Sequence, residues 1–559
     1  MDGPEIVRHY TILQQERRAV EGVWELISKF IVPFRGEFYR DLKSENEVNW
    51  RSRHRFDDTA VDACDTLAAS IQGSLTSPMV KWFDMRFRTD DLNSNAEAMG
   101  WLSDAAERVH LALQESNFNL QMSEAYLDIC SFGTGALVEE VAEENQEFKN
   151  LLFKAIPIRE CFFEEDAEGN VVNFYRKLEM SPLAMTLKFG KDNVPKYVSE
   201  EAFEARGVDK KYTVIFCIYL NRDNMKADTS KTLPPKSRPY GYKYVLVNDK
   251  SIAGEEGGYY EMPVFITKWG KASGTKWGYS PAHKCLGDIL TLNQMVDMIL
   301  VSAEKVLDPP SLAQERTIIG DLDLGASGVT TVRNIDGLKP YESRARFDVS
   351  SLERRELQAS IRRAFKVDQL ELKESPAMTA TEVQVRYELM QRLLGPTLGR
   401  LQSDLLDPII IRTFFILFRA GELPEMPQIV LENQGELDIE YLGPMAKAQK
   451  MDKVVSVQRW FQLAAPIAEF KPEIFDLVDV DKIGREAAIL LDVPLKDDGL
   501  VRKERKDRAD AQARAQQMAE TQESGKAMQE MGKGFEVMPG GKGGGQSEQG
   551  TEGAGQGLP

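Results

Sequence analysis

The feature that most constrains this chain is an order of elements between residues 280 and 420: rod, small insert, second rod, short loop, long helix. Ser280 followed by Pro281 reads as an N-cap serine with proline at the first helical position. From there Ala282, Leu286, Ile289, Leu290, Met295, Val296, Ile299, Ala303 and Val306 hold a helical stripe. At about 1.5 Å per residue this is a rod close to ~40 Å long. It stops at Asp308–Pro309–Pro310, and residues 307–349 then carry Gly, Pro and short β-type runs, a small α/β insert. Ser350 and Glu353 have capping-box spacing and open a second rod reaching residue 367. After a loop at 368–378, Thr379 and Glu382 open a long helix to about residue 420, bent at Gly395–Pro396 and again at Pro408. Two such rods cannot bury all their apolar faces in one copy, whereas copies packed around an axis can. The periodicity alone fits an ordinary helical domain equally well.

The remainder sets the class as α+β and helix-rich. An amphipathic helix is expected from Pro4 to Phe34, a second from Asp57 to Leu75, and a third opened by the Ser94/Glu97 capping box. A fourth runs from Asn119 to the turn at Phe132–Gly133. Between residues 136 and 269 short runs rich in β-branched and aromatic residues alternate with Gly, Asn and Asp, the pattern of hairpin-linked strands. They fall at 136–141, 151–157, 171–177, 212–220, 242–247 and 264–269, with a helical excursion at 182–189. Strands are expected again near 429–431 and 438–441, and helices over most of 444–530. The Gly-rich segment 540–559 is expected to be disordered.

Several functional classes are disfavoured. The net charge of −18 argues against gripping nucleic acid by neutralising phosphates, yet suits a wall past which DNA slides. His9, His54, His110 and His283 occur in unrelated segments without metal-ligand spacing. The stretch from Gly270 to Lys276 lacks the spacing of a phosphate-binding loop. Glu139–Glu140, Glu143–Glu144 and Glu164–Glu165–Asp166 read as solvated acidic surface, and the mixed-charge run 502–514 as an exposed salt-bridged helix. The five cysteines form no CxxC pair, so neither a disulfide framework nor a zinc ribbon is expected. The N-terminal residues carry no apolar signal region, and no run approaches 18 consecutive apolar residues, so no membrane partner is expected. The richest apolar stretch, 409–418, is interrupted by Arg412 and reads as a buried helix. No catalytic residue, metal or cofactor is expected, and the chain reads as a non-enzyme.

A set of local sequences then becomes specific in its order. They are Trp24–Glu25–Leu26–Ile27, Phe56–Asp57–Asp58–Thr59–Ala60, Leu75–Thr76–Ser77–Pro78 and Trp82–Phe83. Further on come Trp277–Gly278–Tyr279–Ser280–Pro281–Ala282, Leu292–Asn293, Asp308–Pro309–Pro310 and Met378–Thr379–Ala380–Thr381–Glu382–Val383. In these the chain resembles the head-to-tail connecting (portal) proteins of short-tailed bacteriophages over roughly residues 5–500.

The resemblance implies the phage portal fold: a wing, stem helices, an α/β clip, a long bent helix and a helical crown. On this numbering the wing is 1–278, the first stem helix 279–306, the clip 307–349 and the second stem helix 350–367. The tunnel loop is 368–378, the long bent helix with wing strands 379–443, the crown 444–530 and the Gly-rich tail 531–559. Implied partners are further copies of the chain in a dodecamer, double-stranded DNA in the channel, the terminase large subunit, a tail adaptor, and capsid and scaffolding proteins. The implied location is the portal vertex of a virion assembled in the bacterial cytoplasm. Candidate channel acids are Asp288, Asp297 and Glu304 on the first stem helix. Asp368, Glu371, Lys373 and Glu374 mark the candidate constriction. The alternatives are a ring-forming tail adaptor and a DNA-packaging enzyme.

Overall fold

The computed structural model describes residues 1–35, 54–78, 81–93, 95–144, 147–203, 210–224, 233–307, 311–313, 338–340, 347–370, 394–433, 437–441, 459–460 and 462. The chain divides into two compact units, Met1–Ala448 and Gln449–Pro559. The helices expected over most of 444–530 and the Gly-rich tail fall almost wholly outside the described residues.

Four helices of 15 or more residues open the chain: α1 Gly3–Phe30, α2 Thr59–Leu75, α3 Ala96–Glu115 and α4 Phe118–Phe132. The Glu5 carboxylate accepts from the Asp2 N–H at 3.3 Å, and Pro4 sits in the first turn, which defines where α1 begins. The cap of α3 is Asn95, not Ser94: its side-chain oxygen accepts from the N–H groups of Glu97 (2.9 Å) and Ala98 (3.2 Å). The helix α4 ends on Gly133 in the left-handed conformation, φ 79°.

Strands β1 Phe83–Phe87, β2 Thr134–Glu144, β3 Glu147–Ala155, β4 Cys161–Glu165, β5 Val171–Met180, β6 Tyr212–Leu220, β7 Tyr240–Leu246, β8 Ile252–Tyr259 and β9 Val264–Lys268 follow. They include all six strands expected between 136 and 269. A five-stranded antiparallel sheet runs β4-β5-β6-β7-β8, and a three-stranded one β3-β2-β9. Between β5 and β6 the chain forms α5 Pro182–Phe189, capped by Ser181, and α6 Lys196–Glu201.

Period-2 alternation gives the larger sheet two apolar faces. On one, Phe162, Tyr175, Ile215, Cys217 and Val245 receive Ile6, Val7, Tyr10 and Leu13 of α1. On the other, Tyr212, Val214, Leu246 and Ala253 receive Met185, Val194 and Val198 of the α5–α6 region. Arg17 fastens α1 to the start of β4. It is buried, lies 3.8 Å over the Phe162 ring, and donates to the carbonyls of Ile158 (3.2 Å), Arg159 (2.8 Å) and Cys161 (2.9 Å).

The short ribbon of β10 Gly270–Lys271 and β11 Gly278–Tyr279 leads into α7 Pro281–Leu307. Strands β12 Ser311–Ala313 and β13 Leu338–Pro340 then pair antiparallel, and α8 Phe347–Ala364 returns the chain. It begins three residues before Ser350, so the Ser350/Glu353 pair lies within the helix rather than capping it.

A short helix α9, Val367–Leu370, occupies the first positions of the expected loop. Helical residues 394–401 continue through a π-turn at Gln402–Leu406 into α10 Asp407–Ala420, with Pro408 in the first turn of α10. A π-turn thus immediately precedes Pro408, the position where a bend is expected.

Residues 429–431 are not a strand. They lie in α11 Gln428–Asn433, where the Pro427 carbonyl accepts from the N–H groups of Val430 and Leu431. The last described strand of this unit, β14 Leu437–Tyr441, pairs antiparallel with β1. The main core joins the second half of α1, helices α2 to α4, the three-stranded sheet, the first half of α7 and α10.

Candidate functional site

The candidate site is the α7–α8 hairpin together with the anchorage at its foot. Trp277 packs edge-on against Trp24 at 4.9 Å and Phe163 at 4.7 Å, uniting α1, β4 and the approach to α7. Gly278 passes directly over Gly133. Its N–H donates to Thr134 Oγ1 at 2.9 Å, and the Trp269 N–H donates to the Gly133 carbonyl at 2.9 Å. Ser280 is fully buried and donates from Oγ to the Ser131 carbonyl at 2.6 Å. The foot of α7 is therefore fixed to the end of α4 and the start of β2 by hydrogen bonds.

His283 completes this foot. Its Nδ1 accepts from the Ser280 N–H at 3.2 Å, a histidine version of a capping box. Burial pushes the imidazole down to about 4. A folded-state value below the unfolded one makes the neutral form part of the fold. Stability from this group is complete above the unfolded value and falls as pH drops from about 6.5 towards 4. In His283→Asn the amide oxygen replaces Nδ1 as acceptor without titrating. The variant should lose about 2 kcal/mol less than the parent between pH 7 and pH 4.5. Urea midpoints at the two pH values test this, and equal losses would reject it.

Asp288, the first of the candidate channel acids, reaches α8. Its carboxylate accepts from Ser360 Oγ of α8 at 2.8 Å. With β12 paired to β13 beyond the far ends of both helices, this bond shows that α7 and α8 run antiparallel. Asn293 of α7 accepts from the Phe56 N–H at 2.8 Å and donates to the His54 carbonyl at 3.2 Å. Gln358 of α8 donates to Asp57 at 2.8 Å. The segment before α2 thus braces both helices.

Nine residues beyond Asp288, Asp297 lies on nearly the opposite side of α7. Glu304, one heptad further, falls on the same side as Asp297. Asp297 is half-buried and Glu304 exposed. Asp368, on α9, is exposed, whereas Glu371, Lys373 and Glu374 lie outside the described residues.

The two halves of α7 differ sharply. Cys285, Ile289, Leu292 and Val296 are buried against the unit's core. Beyond them Met298, Leu300, Val301, Val306 and Leu307 are exposed and point around the whole helix, and Leu352 of α8 is exposed nearby in sequence to the tip. A helix with large apolar side chains exposed on several sides is normally covered. Among the described residues, α7 is the one helix long and apolar enough to cross a membrane by length and composition. The same property belongs to a helix covered by protein.

One arrangement escaped the sequence reading. Glu139 of β2 is completely buried, not part of a solvated acidic surface. It accepts from Thr413 Oγ1 at 2.8 Å and lies 3.5 Å from Arg412 Nε. Arg412 also donates to the Glu261 carbonyl at 2.9 Å, and Arg419 grips the Glu261 carboxylate with both terminal nitrogens at 2.7 and 2.8 Å. Burial pushes Glu139 up to about 7 despite Arg412. Of the other acids read as surface, Glu164 pairs with His9 and Asn173 and Glu165 with Lys268, whereas Asp166 is exposed as expected. This network pins the long helix to the sheets. Among the described residues no group of three or more His, Cys, Asp or Glu side chains is placed to hold a metal ion. All five cysteines are free and buried.

With this geometry in place, comparison with known proteins is informative. The family model described as bacteriophage head to tail connecting protein matches residues 4–496. A probable portal protein of Bordetella phage BPP-1 is 27% identical over 528 residues, covering 91% of each chain. The portal protein of Salmonella phage epsilon15 is 27% identical over 490 residues, covering 85% of each chain. A chain from the virion of a native gene transfer agent particle aligns with a TM-score of 0.33 and 13% identity, over 81% of this chain and 95% of that one. At that score the likeness carries no argument.

Proposed function

This chain belongs to the bacteriophage head to tail connecting protein family, and from that premise we propose that it is one subunit of a portal ring. Twelve copies would close around a channel at one capsid vertex, and double-stranded DNA would be packaged and ejected through it. The chain serves as structure, without catalysis. The second half of α7 carries this reading: beside the acidic side of Asp297 and Glu304 it exposes Met298, Leu300, Val301, Val306 and Leu307, which no described residue buries. In a closed ring each hairpin packs between two others, and that surface leaves water.

In this assembly α7 and α8 are the stem, and the segment containing β12 and β13 is the clip. The clip receives the terminase large subunit during filling and the tail adaptor afterwards. Capsid and scaffolding proteins surround the wing, and assembly takes place in the host cytoplasm. Asp297 and Glu304 contribute acidic surface along the channel, while Asp288 holds the hairpin together through Ser360. Asp368, Glu371, Lys373 and Glu374 line the constriction.

The double variant Leu300→Glu/Val301→Glu tests this reading without touching the core. It should remain folded, with a melting temperature within a few degrees of the parent, and form no rings in negative-stain images. Intact rings from this variant would remove the observation on which the assignment stands.

A further inference from the structure

Helix α8 has a second exposed face, and its chemistry is unlike that of α7. Leu357, Ile361 and Phe365 turn inward, Ile361 and Phe365 completely buried. Away from them Arg355, Arg362 and Arg363 are exposed, at spacings of seven and eight residues that place all three on one side, with the single acid Glu356 one heptad before Arg363. Lys366 follows in the turn beyond the helix end, with φ 60°. Cations in a last helical turn favour the helix dipole, which accounts for Arg362 and Arg363. Arg355 stands about two turns earlier, where that explanation does not reach.

The α7 helix of a neighbouring copy offers these cations little; the exposed acids nearest to them are Glu353 and Glu356 of α8 itself. The Asp288–Ser360 bond sets the antiparallel register, so Arg355 lies level with Asn293, Arg363 with Cys285 and Lys366 with Ala282. Between Pro281 and Asn293 the charged residues of α7 are Lys284 and Asp288, and Asp288 is already held by Ser360. Asp297 and Glu304 stand further towards the tip. A ring of identical hairpins would therefore carry a cationic girdle near the stem foot, within a chain of net charge −18.

We propose that this α8 face, centred on Arg355 and Arg363, contacts the phosphate backbone of double-stranded DNA in the channel. The inference rests on the portal reading above and adds to it where the channel touches its cargo. Phosphate contacts of this kind are independent of sequence and weaken steeply with salt. Spread over about two turns of α8, with Glu356 as the one acid between them, they guide the duplex without fixing its register.

The test uses full-length protein, with ring formation scored in the same samples, and a fluorescent 50-base-pair linear duplex titrated at several salt concentrations. Arg355→Gln/Arg363→Gln should still form rings. Its binding should fall about ten-fold or more near 100 mM salt, and its salt slope by at least about one unit. Lys191→Gln/Lys196→Gln, an equal charge change on exposed residues, should match the parent. Arg355→Lys/Arg363→Lys should keep the parental slope. Rings with unchanged affinity and slope in the Gln variant would overturn the proposal alone. Loss of rings in the Gln variant, with rings kept in the Lys variant, would make this face a subunit contact and overturn it as well. Absence of rings from the parent would overturn the portal reading, and this proposal with it.

Discussion

Arg412→Ala is expected to destabilise the first unit by about 3–5 kcal/mol at pH 8, because it strands a buried carboxylate. Glu139 has no exposed surface; its remaining partner would be the Thr413 hydroxyl at 2.8 Å. Arg412 also holds the Glu261 carbonyl, so its loss loosens the junction between α10 and the segment preceding β9. The cost should depend on pH in a defined direction. Glu139 has a folded-state value raised to about 7, so its carboxyl is neutral in the fold at pH 5 and increasingly charged above pH 7. Stability linked to this group is complete below its unfolded value near 4.5 and is lost as pH rises through about 7. The Arg412→Ala penalty should therefore shrink at pH 5. Arg412→Met/Glu139→Gln removes both charges with little change in volume and should recover most of the loss at pH 8. Urea titrations of the three proteins at both pH values provide the check. Equal penalties at pH 5 and pH 8, with no recovery in the double variant, would contradict the account.

Gly278→Ala should be at least as damaging, and the obstacle there is backbone. A methyl group on Gly278 would stand 2.1 Å from the Gly133 carbonyl oxygen, and one on Gly133 would meet the Gly278 oxygen at 2.7 Å. Neither contact can be relieved by a side-chain rotation. The two strands of chain would have to part, pulling Trp277 from Trp24 and breaking the Gly278–Thr134 and Trp269–Gly133 hydrogen bonds. A loss of about 4 kcal/mol or more is expected, with most of the protein insoluble. Gly274→Ala is the matched control. It has the same left-handed φ of 79° as Gly133 but open space around it, so only the conformational cost of roughly 1 kcal/mol applies. Soluble yield and melting temperature of the two variants should differ widely. Similar behaviour would mean that the close crossing does not constrain the fold.

What the sequence disclosed depended on how local the determining physics is. The helix at 182–189 and the strand at 212–220 are found at the expected bounds, because Ser181–Pro182 and an alternating β-branched run are local signals. The Ser280–Pro281 start of α7 is local too. Elsewhere a local rule chose the wrong residue. Asn95 takes the cap expected of Ser94, and Ile429–Val430–Leu431, with high β propensity, forms a turn of helix after Pro427. Glu139 was misread because its partner Arg412 lies 273 residues away, with no short-range trace. One clue existed: Glu139 shares its strand face with Leu137 and Val141, a position facing inward. The girdle on α8 was also readable as spacing. Its meaning needed the antiparallel register, which the Asp288–Ser360 bond supplies.

The most direct test of the central claim is electron microscopy of the purified full-length chain, with class averages examined for rotational symmetry. The account predicts closed rings of about twelve subunits around an open channel, with the α7–α8 hairpins side by side in the narrow part. A monodisperse monomer or dimer at every salt concentration tried, with α7 still exposed, would contradict it.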